Sequence, residues 1–385
     1  MRTIVFGASG FVGSALVERL RTRGEDFVAV IHSAGNAWRL ARHGMNLKIV
    51  DITSREAVAG VMRGATHVVN CTRGGDDVMG PGLKNLLAEA KAQGVKRFVH
   101  VSSVAVYGDP PPASSENELS PANPAPGSYG DEKLKQDRMV QQAHKEGLSS
   151  AIVCPPNISG VYSGFVVNVL EDIRNGSLSL VDGGSRALNI VDVENLCHAI
   201  ELARGAAQTD GERIFVTDGE TITWGDLARH LLPLAEVAGP VDSITADQVV
   251  REAARAKPRR SLWRAMKHMV SSDVRAALRK DPMWEGFDMA ARAAVARLGR
   301  ASEDSLRHSI EGPTRVAKVA TDAAVQSRYV AQQLRGVVHR TARAKATLGY
   351  APVLSFDESM ANFAAWYRAT RGMDTTSWAL VKDLL

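Results

Sequence analysis

Tyr129 and Lys133 are the residues of this sequence whose types and spacing most directly suggest chemistry. They lie four residues apart, so on a helix they would be stacked on the same face. A phenol normally loses its proton at about pH 10, and a nearby ammonium favours the phenolate and lowers that pKa. The pair therefore predicts a general acid/base that works near neutral pH.

A glycine-rich turn at the start of the chain indicates a binding site for a phosphate-containing cofactor. Gly7, Gly10 and Gly13 follow the apolar run 3–6, and residues 11–23 have the pattern of a helix. Glycines at such a strand–helix turn allow the backbone to approach a pyrophosphate, whose charge the helix N-terminus favours. The turn predicts a dinucleotide-binding domain.

Ser103 follows the strand-like run Arg97–Val101 and precedes the segment with Tyr129 and Lys133. A glycine-rich first turn, a serine after a later strand and a YxxxK helix, in this order, resemble the extended short-chain dehydrogenase/reductases. In particular they resemble the NAD-dependent epimerase/dehydratase family that acts on nucleotide sugars. The resemblance implies an α/β fold of the Rossmann type, a doubly wound parallel sheet, with a small α/β C-terminal substrate lobe. It also implies that Ser103, Tyr129 and Lys133 are catalytic.

The end of the second predicted strand bears on the choice of cofactor. A carboxylate there would bind the ribose hydroxyls and indicate NAD, but this chain has His32 and Ser33. We therefore expect NADP slightly in preference to NAD, with Ser33 and Arg39 as contacts of the 2′-phosphate. The simpler interpretation of Arg39 is a solvated helix face. With the positions implied by the resemblance, the expected cofactor contacts are Gly7, Ser9, Gly10, Phe11, Val12, Gly13, His32, Ser33, Arg39, Asp51, Ile52, Asn70, Cys71, Thr72, Tyr129, Lys133 and Pro155.

Two segments depart from the family pattern and limit the reaction. Family members that dehydrate a sugar place an Asp-Glu pair where this chain has Val104 and Ala105, which cannot transfer a proton. We therefore exclude 4,6-dehydration, which leaves 4-epimerisation or carbonyl reduction. The loop of residues 73–82 is shorter than in the family, so part of the usual substrate wall is absent.

The resemblance implies two substrate contacts. Asn157 stands in the loop after a strand-like run, and Arg186 could bind a substrate diphosphate because a guanidinium matches phosphate geometry. Arg186 is about two residues out of the usual register, so a surface arginine is an equally simple interpretation.

The pattern predicts three regions of different character. We expect a Rossmann domain at 1–160, to which residues around 185–205 return, a substrate lobe at 161–240 and 340–385, and an Ala- and Arg-rich helical insertion at 240–340.

The predicted insertion is strongly basic. Residues 245–345 contain 21 Lys and Arg against 10 Asp and Glu, a net charge of +11. Such a segment can bind a polyanion or an acidic partner, but it has no zinc-finger, homeodomain or RNP signature. The simplest interpretation is a solvated helical cap, while an oligomer interface and polyanion binding stay open.

Composition limits the class of protein. With 45% hydrophobic residues, the 385-residue chain can bury a large core, and no apolar run approaches the ~20 residues needed to span a membrane. Cys71, Cys154 and Cys197 are too widely spaced for a zinc site, so we predict no metal. No signal peptide precedes the first strand. We expect a cytoplasmic homodimer with a small-molecule substrate.

The sequence therefore predicts an NAD(P)-dependent oxidoreductase or epimerase that acts on a nucleotide sugar. Two alternatives are an NADPH-dependent reductase of a non-sugar ketone or aldehyde, and a non-catalytic regulator that senses NADP(H). A third is an enzyme that the insertion joins to a larger assembly. The intact set of Ser103, Tyr129 and Lys133 argues against the regulator.

Overall fold

The computed structural model describes two stretches of the chain. They are residues 1–255 and 329–370, apart from residues 46, 76, 77 and 238. Most of the helical insertion predicted for 240–340 therefore lies outside the described residues.

The chain divides into two compact units. The first comprises Met1–Ala246 and Gln326–Leu385, and the second comprises Asp247–Val325. Of the described residues in the predicted insertion, 240–246 and 329–340 belong to the first unit and 247–255 to the second. The first unit also contains both cavities of the candidate site.

A seven-stranded, all-parallel sheet forms the centre of the first unit. Its order is β3-β2-β1-β4-β5-β6-β10, the doubly wound order predicted for a Rossmann-type domain. The strands are β1 Arg2–Phe6, β2 Asp26–Ile31, β3 Leu47–Ile49, β4 His67–Asn70, β5 Arg97–Val101, β6 Ser150–Cys154 and β10 Arg213–Phe215. The apolar pattern of residues 47–52 predicts a third strand that reaches residue 52, but β3 ends at Ile49.

Helices cover both faces of this sheet, as a continuous apolar strand requires. Val5 of β1 packs into one hydrophobic layer, and its neighbours Ile4 and Phe6 pack into the other. The first layer lies under α1 Phe11–Thr22, α2 Trp38–Ala41 and α7 Val193–Gly205. The second lies under α3 Arg55–Met62, α4 Leu83–Ala92 and α5 Tyr129–Lys145. A single turn of π-helix, Val78–Gly82, leads into α4.

Two segments that we assigned to the substrate lobe belong to the Rossmann domain. β10 pairs with β6 as the seventh strand of the main sheet. Helix α11, Ala342–Leu348, places Ala344 and Leu348 in the layer formed by α1 and α7. A short apolar segment has the same sequence pattern in either domain. The sequence therefore could not show which strand β10 pairs with or which hydrophobic layer α11 joins.

The substrate lobe packs around its own hydrophobic cluster, in which Trp224, Tyr329 and Phe363 are almost fully buried. Its strands and helices are β7 Asn157–Ser159, α6 Gly164–Arg174, β8 Ser179–Val181, β9 Ile190–Asp192, α8 Trp224–Ala235, β11 Asp242–Ile244, α10 Val330–Gln333 and α12 Phe356–Thr370. α9, Ala246–Arg255, begins where the first unit ends.

Strand β8 is hydrogen-bonded on both sides by later parts of the chain. β11 pairs with β8 in parallel. On the other side, Val181 N donates to Gln333 Oε1 at 2.7 Å, and Gln333 Nε2 donates to the Ser179 carbonyl at 2.8 Å. The amide of Gln333 thereby satisfies backbone groups that a further strand would otherwise satisfy.

Candidate active site

Helix α5 brings Tyr129 and Lys133 to the carboxyl end of β5. Ser128 caps the helix, since its side chain accepts from Asp131 N at 3.2 Å. An added Cβ at Gly130 would lie 2.1 Å from the Ala105 carbonyl oxygen. The helix and the loop after β5 therefore approach closely because residue 130 is glycine.

Tyr129 lies beside Ser103 at the wall of a cavity of about 400 Å³. The pKa of the Tyr129 phenol is raised on balance, whereas the spacing from Lys133 predicted a lowered one. Burial of the hydroxyl raises it, although 42% of the residue is exposed, and the Arg73 guanidinium and a hydrogen bond with Ser103 oppose that rise. The Arg73 guanidinium carbon lies 4.9 Å from the centroid of the Tyr129 ring. Ser103 itself begins a 3₁₀ turn, in which its hydroxyl accepts from Ala105 N at 3.2 Å.

The ammonium of Lys133 is hydrogen-bonded to the backbone of β5. Its Nζ donates to the Val101 carbonyl at 3.1 Å, and the residue is only 4% exposed. Burial lowers the pKa of Lys133 from 10.5 to about 8, although the Asp137 carboxylate opposes this. The cation that most lowers the Tyr129 pKa is Arg73. The i,i+4 spacing places Tyr129 and Lys133 on one face of α5, but it does not determine the direction of the Lys133 ammonium.

A buried polar network lies beneath Lys133. Asp137 Oδ2 accepts from Arg213 Nε at 2.6 Å, and Asp137 Oδ1 lies 3.7 Å from His100 Nε2. Burial and the charge of Lys133 hold the pKa of His100 well below its usual range, so His100 is neutral. β10 supplies the arginine of this network, which joins the seventh strand to α5.

Asn70, an expected cofactor contact, belongs to the same buried network. It is fully buried, its Nδ2 lies 3.1 Å from His100 Nδ1, and its Oδ1 accepts from the hydroxyl and amide of Thr72. Because these bonds engage the side chain, Asn70 holds Thr72 in place rather than facing the cavity.

A second cavity, of about 570 Å³, lies at the carboxyl ends of β1, β2 and β4. Of the expected cofactor contacts, its lining includes Gly7, Ser9, Gly10, His32, Ile52, Cys71 and Thr72. The other lining residues are Phe6, Val30, Ile31, Trp38, Val50, Arg73, Gly74 and Gly75. We call this space the cofactor cavity. Its described lining contains no carboxylate.

The glycine turn forms one wall of the cofactor cavity. Gly10 N donates to the Gly7 carbonyl at 3.0 Å, and an added Cβ at Gly13 would lie 2.2 Å from that oxygen. Glycine is therefore required where α1 crosses the turn. Phe11 and Val12 pack against the hydrophobic layer instead of lining the cavity.

Arg39 is engaged elsewhere and does not reach the cofactor cavity. Its guanidinium donates to both carboxylate oxygens of Glu18, at 3.0 and 2.7 Å, and lies 4.3 Å from the Tyr162 ring centroid. Binding a 2′-phosphate would require breaking this buried pair. Both interpretations from the sequence, a phosphate contact and a solvated helix face, differ from this geometry.

Three further expected cofactor contacts lie outside the lining of the cavity. Asp51 is exposed, and its Oδ1 accepts from the amide and hydroxyl of Thr53 at 2.9 and 2.7 Å. Ser33 begins a 3₁₀ turn after β2. Pro155 is buried, and its carbonyl accepts from Val104 N. Their sequence neighbours Ile52 and His32 line the cofactor cavity, and Pro156 lines the cavity beside Tyr129.

The cavity beside Tyr129, which we call the substrate cavity, is built from distant segments. Of the two expected substrate contacts, Asn157 lines it and Arg186 does not. Arg186 is paired with Asp182, at 3.0 and 2.6 Å. The other lining residues include Ala105, Asp109, Leu188, Asn189, Trp224, Gln332, Arg335, Val337 and His339.

An ion pair spans the substrate cavity. Arg335 Nε and Nη2 donate to the two oxygens of Asp109, at 2.9 and 2.8 Å. Asp109 opens the Pro-rich loop before α5, and Arg335 follows α10, so the pair joins segments 226 residues apart. His339 packs nearby against Phe215 with its ring centroid 4.6 Å away, and burial lowers its pKa to about 4.

Sequence reasoning missed Trp38, Arg73, Arg335 and His339. Arg73 carried a usable signal, because it directly follows the end of a predicted strand where cofactors bind in open α/β sheets. Arg335 and His339 carried none, since they lie within the predicted basic insertion, where no motif indicates a cavity.

Neither a metal cluster nor a membrane span is found in the part of the chain that the structure describes. Its His, Cys, Asp and Glu residues form no group of three suited to a metal ion. No helix there is both long and apolar enough to cross a membrane.

Comparison with known proteins gives three kinds of relative. A ketoreductase of Stigmatella aurantiaca that acts on a farnesyl dihydroquinoline oxide is 30% identical over 281 residues, which cover 69% of this chain and 82% of that protein. A UDP-glucose 4-epimerase of Mycolicibacterium smegmatis is 30% identical, covering 58% and 79%. The human decarboxylating sterol-4-alpha-carboxylate 3-dehydrogenase is 29% identical, covering 60% and 66%.

Solved structures and a family model agree on the fold. The NAD-bound UDP-glucuronic acid 4-epimerase of Bacillus cereus superposes with a TM-score of 0.60 at 13% identity, covering 96% of this chain and 99% of that one. The sequence model described as the NAD dependent epimerase/dehydratase family matches residues 3–216, more than half of the chain. This chain belongs to the NAD-dependent epimerase/dehydratase family.

Proposed function

We propose that this chain is an NAD(P)-dependent oxidoreductase that interconverts a carbinol and a carbonyl group, with Tyr129 as the general acid/base. One observation carries the proposal. Tyr129 and Ser103 line the substrate cavity, and Arg73 of the cofactor cavity lies over the Tyr129 ring. A substrate oxygen in one cavity and a nicotinamide in the other can therefore meet at this tyrosine.

The cofactor cavity fits a dinucleotide. The turn at Gly7, Gly10 and Gly13 leaves no space for a Cβ at its crossing point and presents the N-terminus of α1, which favours a pyrophosphate. Ser9, Thr72 and His32 offer polar groups along the same wall. When bound, the nicotinamide supplies or accepts the hydride.

The chain's own residues move the proton. In the reducing direction the Tyr129 hydroxyl donates its proton to the substrate oxygen, which the Ser103 hydroxyl holds by a second hydrogen bond. In the oxidising direction the Tyr129 phenolate takes the proton from the carbinol. We propose that Lys133, fixed by the Val101 carbonyl, holds the nicotinamide ribose.

For the substrate we propose an uncharged ketone or alcohol. The charges that line the substrate cavity, Asp109 and Arg335, neutralise each other. Arg186, the expected diphosphate contact, is paired with Asp182 outside the lining. Apolar side chains such as Leu188, Trp224 and Val337 supply much of the wall.

A nucleotide sugar is the second candidate, and Arg335 favours it. A phosphate could replace the Asp109 carboxylate on the Arg335 guanidinium, which binds both oxyanions through the same fork. An epimerase would oxidise the carbinol, allow the keto-sugar to turn over and return the hydride to its other face.

For the cofactor we propose that NADP(H) binds at least as well as NAD(H). No carboxylate of the described lining is available to the ribose hydroxyls, and His32 stands at the end of β2 where NAD enzymes of this fold carry one. With Arg39 engaged by Glu18, His32 and Ser33 are the remaining candidates for the 2′-phosphate.

Tyr129→Phe tests the proposed chemistry. The change removes the hydroxyl and keeps the ring, so we expect cofactor affinity to persist while turnover falls ~10²–10⁴-fold. The assay follows nicotinamide absorbance on hydrophobic ketones and alcohols first and on nucleotide sugars second. Tyr162→Phe, from a tyrosine outside the described lining of both cavities, is the control and should keep parental turnover.

Two results would contradict this function. Parental turnover in Tyr129→Phe would remove the tyrosine from the mechanism. Cofactor binding by the parent without turnover of either substrate class would favour the redox-sensing regulator instead.

Calorimetric titration of NADPH and NADH tests the cofactor proposal. We expect NADPH to bind at least as tightly, and a preference for NADH beyond tenfold, about 1.4 kcal/mol, would overturn the proposal. In His32→Asp the new carboxylate would bind the ribose hydroxyls and repel the 2′-phosphate, so the preference should shift toward NADH.

A further inference from the structure

Arg73 lines the cofactor cavity and contacts Tyr129, which lines the substrate cavity. It lies three residues beyond the end of β4 and stacks over Tyr129 at 4.9 Å. Among the described residues no carboxylate forms an ion pair with it. The exposed guanidinium of Arg73 therefore lies against the phenol ring and is not neutralised by any carboxylate of the described residues.

Lys133 is placed differently with respect to the same phenol. Its ammonium is directed at the Val101 carbonyl and is almost completely buried. The Asp137 carboxylate one turn further along α5 also attracts the ammonium. Two cations are therefore placed differently: the Lys133 ammonium is buried at the backbone of β5, and the Arg73 guanidinium is stacked on the Tyr129 ring.

We propose that Arg73 is a positioning residue for proton transfer, whose guanidinium stabilises the phenolate that Tyr129 forms when it donates its proton. The inference rests on the proposed role of Tyr129 as the acid/base. When the phenol O–H bond breaks, the proton goes to the substrate oxygen and the negative charge stays on the phenol. Protonation from solvent restores the hydroxyl after product release.

The electrostatics agree in sign with this geometry. Burial raises the pKa of Tyr129, and the charge of Arg73 is the strongest of the influences that lower it, ahead of the hydrogen bond with Ser103. A cation over a ring attracts the π-electrons of a neutral phenol, and it attracts a phenolate more strongly because that ring carries a full negative charge. Arg73 therefore favours the ionised form.

A titration that needs no substrate tests the proposal. Tyrosine labelled with ¹³C at Cζ reports ionisation by NMR, and the resonance absent from Tyr129→Phe identifies Tyr129 among the six tyrosines. We expect Arg73→Met to move the Tyr129 midpoint to higher pH and Arg73→Lys to restore part of the difference. Arg63→Met, which removes an equal charge from the exposed end of α3, should leave the midpoint unchanged.

Steady-state kinetics provide the second readout. We expect Arg73→Met to lower kcat about 2- to 30-fold and to shift the pH–rate profile with the Tyr129 midpoint. An unchanged midpoint would overturn the proposal, and a raised KM for anionic substrates alone would make Arg73 a substrate contact instead.

The two readouts separate this inference from the proposed function. If Arg73→Met shifts the Tyr129 midpoint but the parent turns over no substrate, the Arg73–Tyr129 coupling is supported and the proposed function is not. An unchanged midpoint in a protein that Tyr129→Phe inactivates would leave the function standing and remove Arg73 from it.

Discussion

The cofactor cavity and the substrate cavity meet at Tyr129 but are assembled in different ways. Every described residue of the cofactor lining lies within residues 6–75. All of them except Trp38 of α2 lie at or after the carboxyl ends of β1, β2 and β4 or just after β3. The substrate lining draws on separate segments from residue 103 to residue 339. The order of one parallel sheet sets the first cavity, whereas contacts between distant loops set the second.

This difference indicates where each cavity is vulnerable. A wall made from one turn depends on the fit of that turn, so a single atom can close it. A wall made from many segments is held by many separate contacts, so losing one contact should change the shape and stability of the cavity less. The three predictions below test this, from the largest expected effect to the smallest.

Gly13→Ala should have the largest effect. Its Cβ would lie 2.2 Å from the Gly7 carbonyl oxygen, which is backbone and cannot rotate away. We expect dinucleotide affinity to fall more than ~100-fold and the free energy of unfolding to fall by at least ~2 kcal/mol. Calorimetry with NADPH and urea unfolding measure the two changes.

Gly60→Ala is the matched control for that change. Gly60 lies in the exposed part of α3, where a Cβ would meet nothing within 4 Å. The added methyl should raise the free energy of unfolding by about 0.5–1 kcal/mol and leave cofactor affinity unchanged. Parental affinity in Gly13→Ala would mean that the turn does not set the cofactor cavity.

Lys133→Met should have an intermediate effect whose size depends on pH. The pKa of Lys133 is about 8 in the folded protein, below its ordinary 10.5, so burying the ammonium destabilises the fold at neutral pH. That cost is fully present below pH 8 and disappears as pH rises toward 10.5, because the folded state releases the proton first. We expect Lys133→Met to raise the free energy of unfolding by up to ~3 kcal/mol at pH 7.

Urea unfolding at pH 7 and pH 10 measures this stability gain. The difference between Lys133→Met and the parent should narrow at pH 10, since the parental lysine is then largely neutral in the folded state. Lys135→Met, from an exposed neighbour on α5, should leave stability nearly unchanged at either pH, since solvent screens its ion pairs. A gain for Lys133→Met that did not depend on pH would contradict a buried ammonium.

The Asp109–Arg335 pair should contribute least to stability. Both side chains are partly open to solvent, with 58% and 27% of their surfaces exposed, which screens their attraction. A double-mutant cycle of Asp109→Ala and Arg335→Ala should give a coupling below ~1 kcal/mol that decreases with added salt. A larger coupling, insensitive to salt, would mean that one contact dominates the substrate cavity.

The predicted site residues that line a cavity and those that are engaged elsewhere differ in the range of their contacts. Gly7 and Gly10 line the cofactor cavity because a turn is a local structure that its own spacing determines. Arg39 was misassigned because its partner Glu18 lies 21 residues away on α1. The pair Asp182–Arg186 is spaced i,i+4 and could have been recognised.

Polar residues at strand ends were the other source of error. Asn70 and His100 belong to adjacent strands, β4 and β5, and strand order alone does not reveal whether such side chains face a cavity or each other. Asp137 and Arg213 are 76 residues apart, and β10 had to be placed beside β6 before their pairing could be foreseen. The fold was therefore more predictable than the residues that complete its site.

Strand β8 has a consequence for how this protein can vary. β11 pairs with β8 close to the end of the first described stretch, and Gln333 bonds to β8 close to the start of the second. On both sides of the segment between β11 and Gln333, the chain is therefore tied to one three-residue strand. A change in the length of that segment would begin and end at this strand, so lineages could exchange the segment while Tyr129 and the glycine turn keep their positions.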